Sequence, residues 1–182
     1  MDFSKFGVGS FFAGSAVAAL FLVFAPEYIV DKPCGDCEGG YVSIARNLSA
    51  GSGFIGQDGE LATARPPGNA IFLLGGLALA SILNTDEIIG FRLANIILFG
   101  LISATICLFA RKMWDSISAV AVTSLWVSCP FTLFFLTAPY SELPFIFIYV
   151  LLFIQTTLIL GRTHDTKYWK FLLIGVLCGT AM

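Results

Sequence analysis

Charged residues are scarce in this sequence. They make up 12% of its 182 residues, while 57% are hydrophobic, and a soluble domain usually has about 25% charged residues. The formal net charge of −2 excludes a basic nucleic-acid-binding protein, and the apolar content excludes an intrinsically disordered chain. Internal repeats and low-complexity tracts are also absent. The composition therefore predicts an integral membrane protein.

Uncharged runs divide the chain into candidate membrane helices. A spanning helix needs about 20 mostly apolar residues. Such runs predict four spans and a final apolar run that is too short to cross: 8–28, 90–110, 116–136, 143–161 and 171–182. The predicted fold is all-α and polytopic, with about four to five transmembrane helices that form a single transmembrane domain over 1–182.

A further apolar segment, 70–83, is expected to lie along the membrane surface. Its 14 residues cover about 21 Å, less than the hydrocarbon thickness. If it does not cross, six basic residues (Lys5, Arg111, Lys112, Arg162, Lys167 and Lys170) fall inside and four outside; if it crosses, two fall inside and eight outside. Because short cytoplasmic loops are enriched in Lys and Arg, residues 27–92 are predicted to form an extracytoplasmic loop with two short interfacial helices.

The first interfacial helix is predicted over 41–50. Tyr41, Ile44, Ala45 and Leu48 recur at helical spacing, and Gly51-Ser52-Gly53 ends the segment. Arg65-Pro66-Pro67-Gly68 then starts the second helix, with proline at its first positions. Since connections longer than about 12–15 residues are usually functional, this loop is the place to look for a site.

An ordered set of motifs in the chain resembles the membrane-embedded glycosyltransferases of the GT-C fold, which include the protein O-mannosyltransferases and the aminoarabinose transferase of lipid A. The motifs follow Tyr41 in this order: Ile44-Ala45-Arg46-Asn47-Leu48, Gly51-x-Gly53-Phe54, Arg65-Pro66-Pro67-Gly68, Phe91-Arg92-Leu93-Ala94-Asn95, Arg111-Lys112 and Pro139-Tyr140-Ser141-Glu142-Leu143. Family members are several hundred residues long, so the chain is expected to be an N-terminal portion, which by itself need not be active.

The resemblance implies transfer of a sugar from a polyprenyl-phosphate carrier to an acceptor at the extracytoplasmic membrane face, with inversion. Asp36 and Glu38 are the candidate catalytic bases. The family acid stands four residues before the tyrosine, where this chain has Cys37, so the choice between them stays open. Both can equally be solvated loop acids.

The expected substrate-binding residues are Arg65, Arg46, Tyr41 and Glu142. Arg65 is the phosphate-binding candidate, because a guanidinium binds phosphate oxygens bidentately, and Arg46 is expected on the same side. Interfacial snorkelling of Arg65 and a solvated position for Glu142 are the alternatives. Arg92 reads as a plain membrane anchor.

Cofactors and partners follow from the same resemblance. No metal-ligand cluster is spelled out, so no metal site is assigned, and dependence on a divalent cation stays open. The Cys34-x-x-Cys37 spacing itself fits a disulfide in an oxidising compartment, with a redox pair or a metal pair as the alternatives. The expected partners are a polyprenyl-phosphate-linked sugar, an acceptor glycan, lipid or protein, and membrane lipids, but no nucleic acid. The alternative functions are a non-enzymatic transporter or lipid-carrier-binding subunit, which helices broken near mid-membrane would favour, and an inactive remnant.

Overall fold

The structure is a computed structural model that describes residues 3–25, 38–63 and 65–160. Within these ranges the chain is all-α, as predicted, and the one strand-like pairing is an isolated antiparallel bridge between Ile55 and Leu61. Several predicted features lie outside the described residues: Asp36, the Cys34–Cys37 pair, Arg162, Lys167, Lys170 and the apolar run from 171.

The described residues contain seven α-helices. They are α1 (Phe3–Phe24), α2 (Ser43–Ser49), α3 (Pro67–Leu83), α4 (Glu87–Met113), α5 (Ser116–Val127), α6 (Pro130–Phe134) and α7 (Glu142–Leu160). A single π-helical turn, Glu38–Val42, runs directly into α2.

Two of these helices are long and apolar enough to cross a membrane, namely α4 and the Lys5–Phe24 part of α1. In α4, 50% of the most apolar window is buried inside the protein, whereas in α1 the share is 17%. Helix α4 is therefore the central helix, and most apolar side chains of α1 face outward. Among the described residues, α3, α5 and α7 are apolar but shorter than a full span by the same criterion.

Helices α1 and α4 pack closely and antiparallel through small residues. A Cβ on Gly14 would overlap Ser103, and one on Gly100 would overlap Ser15. At the other end of the pair, the Arg111 guanidinium carbon lies 4.1 Å from the centre of the Phe6 ring. Small residues allow the backbones of membrane helices to approach closely. The start of α1 therefore lies beside the end of α4.

Helix α3 begins and ends where the sequence predicts. Pro66 and Pro67 occupy its N-cap and first turn, and it ends at Leu83 because Asn84 adopts the left-handed conformation, with φ of 50°. Its middle packs on the first turn of α4, where a Cβ on Gly90 would overlap the carbonyl of Gly76. The short connection thus holds α3 against the N-terminal end of α4.

The predicted helix 116–136 is interrupted. Helix α5 ends at Val127 and α6 starts at Pro130, because proline has no N–H and its ring clashes with the carbonyl four residues earlier. That carbonyl belongs to Trp126, and the Thr132 hydroxyl donates to it at 3.2 Å. The break is therefore compensated locally.

Helix α5 has a well-formed start. Asp115 is its N-cap, and its carboxylate accepts a hydrogen bond of 2.7 Å from the Ser118 backbone N–H. This bond lowers the pKa of Asp115 below its usual value. The cap fixes the start of α5 so that only Trp114 and Asp115 separate it from α4.

Two apolar clusters hold the end of the bundle that carries the N-terminus of α4. The first combines Ala18 of α1 with α4 and with residues around α6 and α7: Leu98, Phe99, Ile102, Phe135, Leu136 and Leu143. The second joins the segment before α3 to α3 and α4: Tyr41, Val42, Ile44, Ala45, Ala70, Leu73 and Phe91. Phe72 packs against both clusters and so connects them.

Candidate functional site

The described part of the long loop is a packed structure. Tyr41, Ile44 and Ala45 are buried and Leu48 packs against them, so the helical face predicted from the sequence is confirmed. Asn47 fastens the following turn, because its Nδ2 donates to the carbonyl of Ile55 at 2.8 Å. The loop thus forms a small folded layer on one end of the helices.

Arg65 lies against Tyr41 in this layer. Its guanidinium carbon is 5.3 Å from the centre of the Tyr41 ring, within the range of a cation–π interaction. A Cβ at Gly40 would stand 3.3 Å from that carbon, so glycine at this position leaves room for the guanidinium. Two of the predicted substrate-binding residues, Arg65 and Tyr41, are therefore in contact.

Arg65 also lines a cavity of about 610 Å³, which we call the Arg65 cavity. Asp58, Glu60 and Thr63 contribute polar side chains to its wall, and Gly40 lies at its edge. The turn that carries the two acids is ordered by a hydrogen bond of 3.1 Å from the Glu60 N–H to Asp58 Oδ1. The cavity offers both a cation and carboxylates to a polar ligand.

Arg46 does not line the Arg65 cavity. Its guanidinium forms an ion pair with Glu87 at the start of α4, with 2.6 Å between Nη2 and Oε2. The pair is about half exposed, with side chains 55% and 43% accessible, and such pairs are worth about 0–1 kcal/mol. Glu87 is 41 residues away in sequence, so no local pattern indicates this partner.

The two candidate bases differ in what the structure says of them. Asp36 lies outside the described residues. The backbone of Glu38 starts the π-helical turn, two residues before Gly40 at the edge of the Arg65 cavity.

Glu142 is the first residue of α7 and does not line the Arg65 cavity. Its Oε2 is buried and has no hydrogen-bond partner among the described residues. The segment that precedes it is held by α4, because Asn95 Nδ2 donates to the Ala138 carbonyl at 3.1 Å and Arg92 Nε to the Thr137 carbonyl at 3.3 Å. Glu142 thus follows a segment that hydrogen bonds from α4 hold in place.

Sequence reasoning missed three polar residues at this end of the bundle. Arg92 was read as a membrane anchor, yet it contacts Thr137 as described above. Asn69 in the first turn of α3 is 2% exposed, and neither its Oδ1 nor its Nδ2 has a partner among the described residues. Asn95 is 1% exposed and uses only its Nδ2. Asparagine within an otherwise apolar run was the available signal.

A metal site is not apparent in the described ranges. No group of three or more His, Cys, Asp or Glu side chains is close enough there to hold an ion. The carboxylates of the Arg65 cavity, Asp58 and Glu60, are a pair on one turn.

Comparison with known proteins gives no match: no family model, no curated protein and no solved structure matches this chain. The function must therefore be argued from the residues themselves.

Proposed function

We propose that this chain belongs to a membrane-embedded glycosyltransferase of the GT-C type, which transfers a sugar from a polyprenyl-phosphate carrier to an acceptor at the extracytoplasmic membrane face. In this proposal α1, α4, the α5–α6 pair and α7 are membrane spans, and the layer formed by 38–85 lies on the outer surface. The observation that carries the proposal is the polar Arg65 cavity at one end of an otherwise apolar set of helices.

The phosphate of the carrier would bind at Arg65. Its planar guanidinium presents paired donors to phosphate oxygens, and the N-terminus of α3 adds two backbone donors beside it. Pro66 and Pro67 have no N–H, so these donors are the amides of Gly68 and Asn69, which have no acceptor within the helix. Helix N-termini favour anions, and the Tyr41 ring fixes the arginine.

The reaction would be a single displacement. The acceptor hydroxyl loses its proton to the carboxylate of Asp36 or Glu38 while its oxygen bonds to the anomeric carbon. The bond between that carbon and the phosphate oxygen breaks, and the phosphate leaves with the electron pair. Arg65 would stabilise the negative charge that develops on the leaving phosphate.

The test is transfer of labelled sugar from polyprenyl-phosphate-linked donors by membranes that contain the product of the whole gene. Arg65→Gln is expected to lower transfer by about 10²–10³-fold, the usual cost of removing one such donor. Arg65→Lys keeps the charge but loses the paired geometry, so an intermediate rate is expected. Lys112→Gln, an exposed residue at the opposite end of α4, is the matched control and should leave the rate unchanged.

The candidate bases are tested in the same assay. Asp36→Asn combined with Glu38→Gln should lower transfer by about 10²–10⁴-fold, because the acceptor proton then has no carboxylate to receive it. Parental rates in this double variant would overturn the base assignment, and parental rates in Arg65→Gln would overturn the phosphate site.

A second candidate function has one observation in its favour. The interruption of the predicted span between Val127 and Pro130 is the kind of discontinuity on which transporters build binding sites. A lipid-carrier-binding or transport protein would bind the labelled carrier lipid without turnover. Binding of the carrier by the parental protein, in membranes where this parental protein transfers no sugar to any acceptor tested, would favour this alternative.

A further inference from the structure

The end of the bundle opposite the Arg65 cavity contains a groove that the proposed function does not use. It has a volume of about 390 Å³ and lies between α1, α4 and α5. We call it the Lys5 groove, after the exposed basic residue at its mouth. We propose that the Lys5 groove binds one anionic phospholipid of the surrounding membrane, with its phosphate at Lys5 and an acyl chain along the groove.

The walls of the Lys5 groove fit a hydrocarbon chain. Apolar side chains of Phe6, Ala13 and Val120 line it, together with the buried Cys107. Gly9 lies in the middle of the α1 wall, and a Cβ built on it would meet nothing within 4 Å. The groove is therefore open space beside Gly9, although Gly14 on the same helix is in tight contact with Ser103.

The polar groups of the groove lie where a lipid headgroup needs them. Lys5 is exposed, and no described carboxylate lies within ion-pair distance of it. Ser10 and Ser124 also line the groove, and Ser10 is five residues beyond Lys5, about 7.5 Å along the helix. Along the groove, the Lys5 ammonium comes first and the serine hydroxyls follow. A phospholipid has its phosphate and then its ester groups in the same order.

The charge of this end favours an anionic over a zwitterionic lipid. Lys5 lines the groove and Arg111 stacks on Phe6, itself a wall residue, whereas Asp115 is the one described acid near this end. One basic side chain near an anionic membrane surface contributes about 1 kcal/mol to binding, and basic pockets between helices on this side bind anionic headgroups. The inference requires that α1 and α4 lie in a membrane, but it does not depend on sugar transfer.

The test is lipid retention by the purified full chain in detergent, measured by native mass spectrometry with phosphatidylglycerol and with phosphatidylcholine. The parent is expected to retain one phosphatidylglycerol with at least about fivefold preference over phosphatidylcholine. Lys5→Gln should remove the preference. Gly9→Leu should lower retention of both lipids, because a Cβ at Gly9 meets nothing within 4 Å and the leucine side chain would occupy space in the groove. Lys112→Gln, at the same end but outside the groove, should keep the preference.

Several results would overturn the proposal. One is an unchanged preference for phosphatidylglycerol in Lys5→Gln. Because Lys5 is exposed, this variant is expected to fold and decides the question even if Gly9→Leu does not fold. Another is displacement of the lipid by soluble glycerol phosphate alone, which would indicate a headgroup site without an acyl chain. A lipid-free dimer in the mass spectrum would show that a second copy covers the groove. Sugar transfer is not measured in this experiment, so its failure leaves the proposed function standing.

Discussion

Asn69 and Asn95 are both buried asparagines at the same end of the bundle, but their side-chain amides differ in hydrogen bonding. Asn95 donates to the carbonyls of Ala138 and Phe135 and so ties α4 to the segment before α7. The side chain of Asn69 makes no hydrogen bond within the described residues. A buried polar group without a hydrogen-bond partner lowers the free energy of unfolding by about 1–3 kcal/mol. Asn69 is therefore expected to destabilise the folded protein.

The two residues should therefore respond oppositely to replacement by leucine, an apolar side chain of similar size. Asn69→Leu is expected to stabilise the protein by about 1–3 kcal/mol, because it removes two unsatisfied polar atoms. Asn95→Leu should destabilise it by a similar amount, because the Ala138 and Phe135 carbonyls lose their donor.

The measurement is the free energy of unfolding in detergent micelles, with helix content followed by circular dichroism. The reverse order of stability would mean that the Asn69 amide is satisfied in the folded protein.

At the scale of single residues, the sequence predicts faces better than partners. The buried face of Tyr41, Ile44 and Ala45 follows from their spacing, because helical periodicity is local. The Arg46–Glu87 ion pair does not, since its two residues are 41 positions apart. The sequence names Arg65 and Tyr41 as candidates, but their contact and the room that Gly40 leaves for the guanidinium are visible only in three dimensions.

At the scale of helices, glycines define two packing seams on α4. Gly100 faces α1, where a Cβ would overlap Ser15 and stand 2.9 Å from the Phe11 carbonyl oxygen. Gly90 faces α3, where a Cβ would overlap Gly76. Because both contacts include backbone atoms, neither can be relieved by a change of side-chain rotamer alone.

Gly100→Ala should therefore separate α1 from α4 and destabilise the protein by about 1–3 kcal/mol, the usual cost of overpacking. Gly9→Ala is the matched control: it lies on α1 in open space, so replacement should be neutral or stabilising by up to about 1 kcal/mol through helix propensity.

Unfolding in micelles measures both variants. Equal stability of Gly100→Ala and the parent would contradict the tight α1–α4 contact.

Some helix ends can be predicted from local sequence signals, whereas others are missed when a local signal conflicts with the length of an apolar run. The limits of α3 follow from Pro66, Pro67 and Asn84, whose backbone preferences are intrinsic. The prediction of an uninterrupted helix over 116–136 is wrong. It rests on the length of the uncharged run and neglects Pro130, which starts a new helix. Proline interrupts a helix whatever the hydrophobicity around it, and Thr132 supplies the compensating hydrogen bond.

At the scale of the whole molecule, the central position of α4 separates two chemically different ends. The polar loop layer, Asn95 and Glu142 gather at its N-terminal end, while Lys5 and Arg111 lie at its C-terminal end. The sequence predicts this division from the distribution of charge. Two described helices are long and apolar enough to cross a membrane, and the further spans stay a prediction.

The division of the ends gives a direct prediction for membrane topology. A reporter fused after Asn84 should be exported, and one fused after Lys112 should be retained in the cytoplasm, because in the proposed topology α3 lies on the outer surface and α4 crosses the membrane. Alkaline phosphatase and green fluorescent protein fusions report the two outcomes.

Retention of the reporter after Asn84 would place α3 across the membrane, and the extracytoplasmic site would have to be abandoned.

The contact between α1 and α4 also bears on how the chain is assembled during translation. Ser15 on α1 bonds to Ile96 on α4, 81 residues later. At about 5–20 residues per second, the ribosome needs about 4–16 s to make that stretch. In the proposed topology, the glycine-containing face of α1 is therefore exposed to lipid until α4 has been made. An insertase or chaperone that shields nascent helices could bind this face only during that interval.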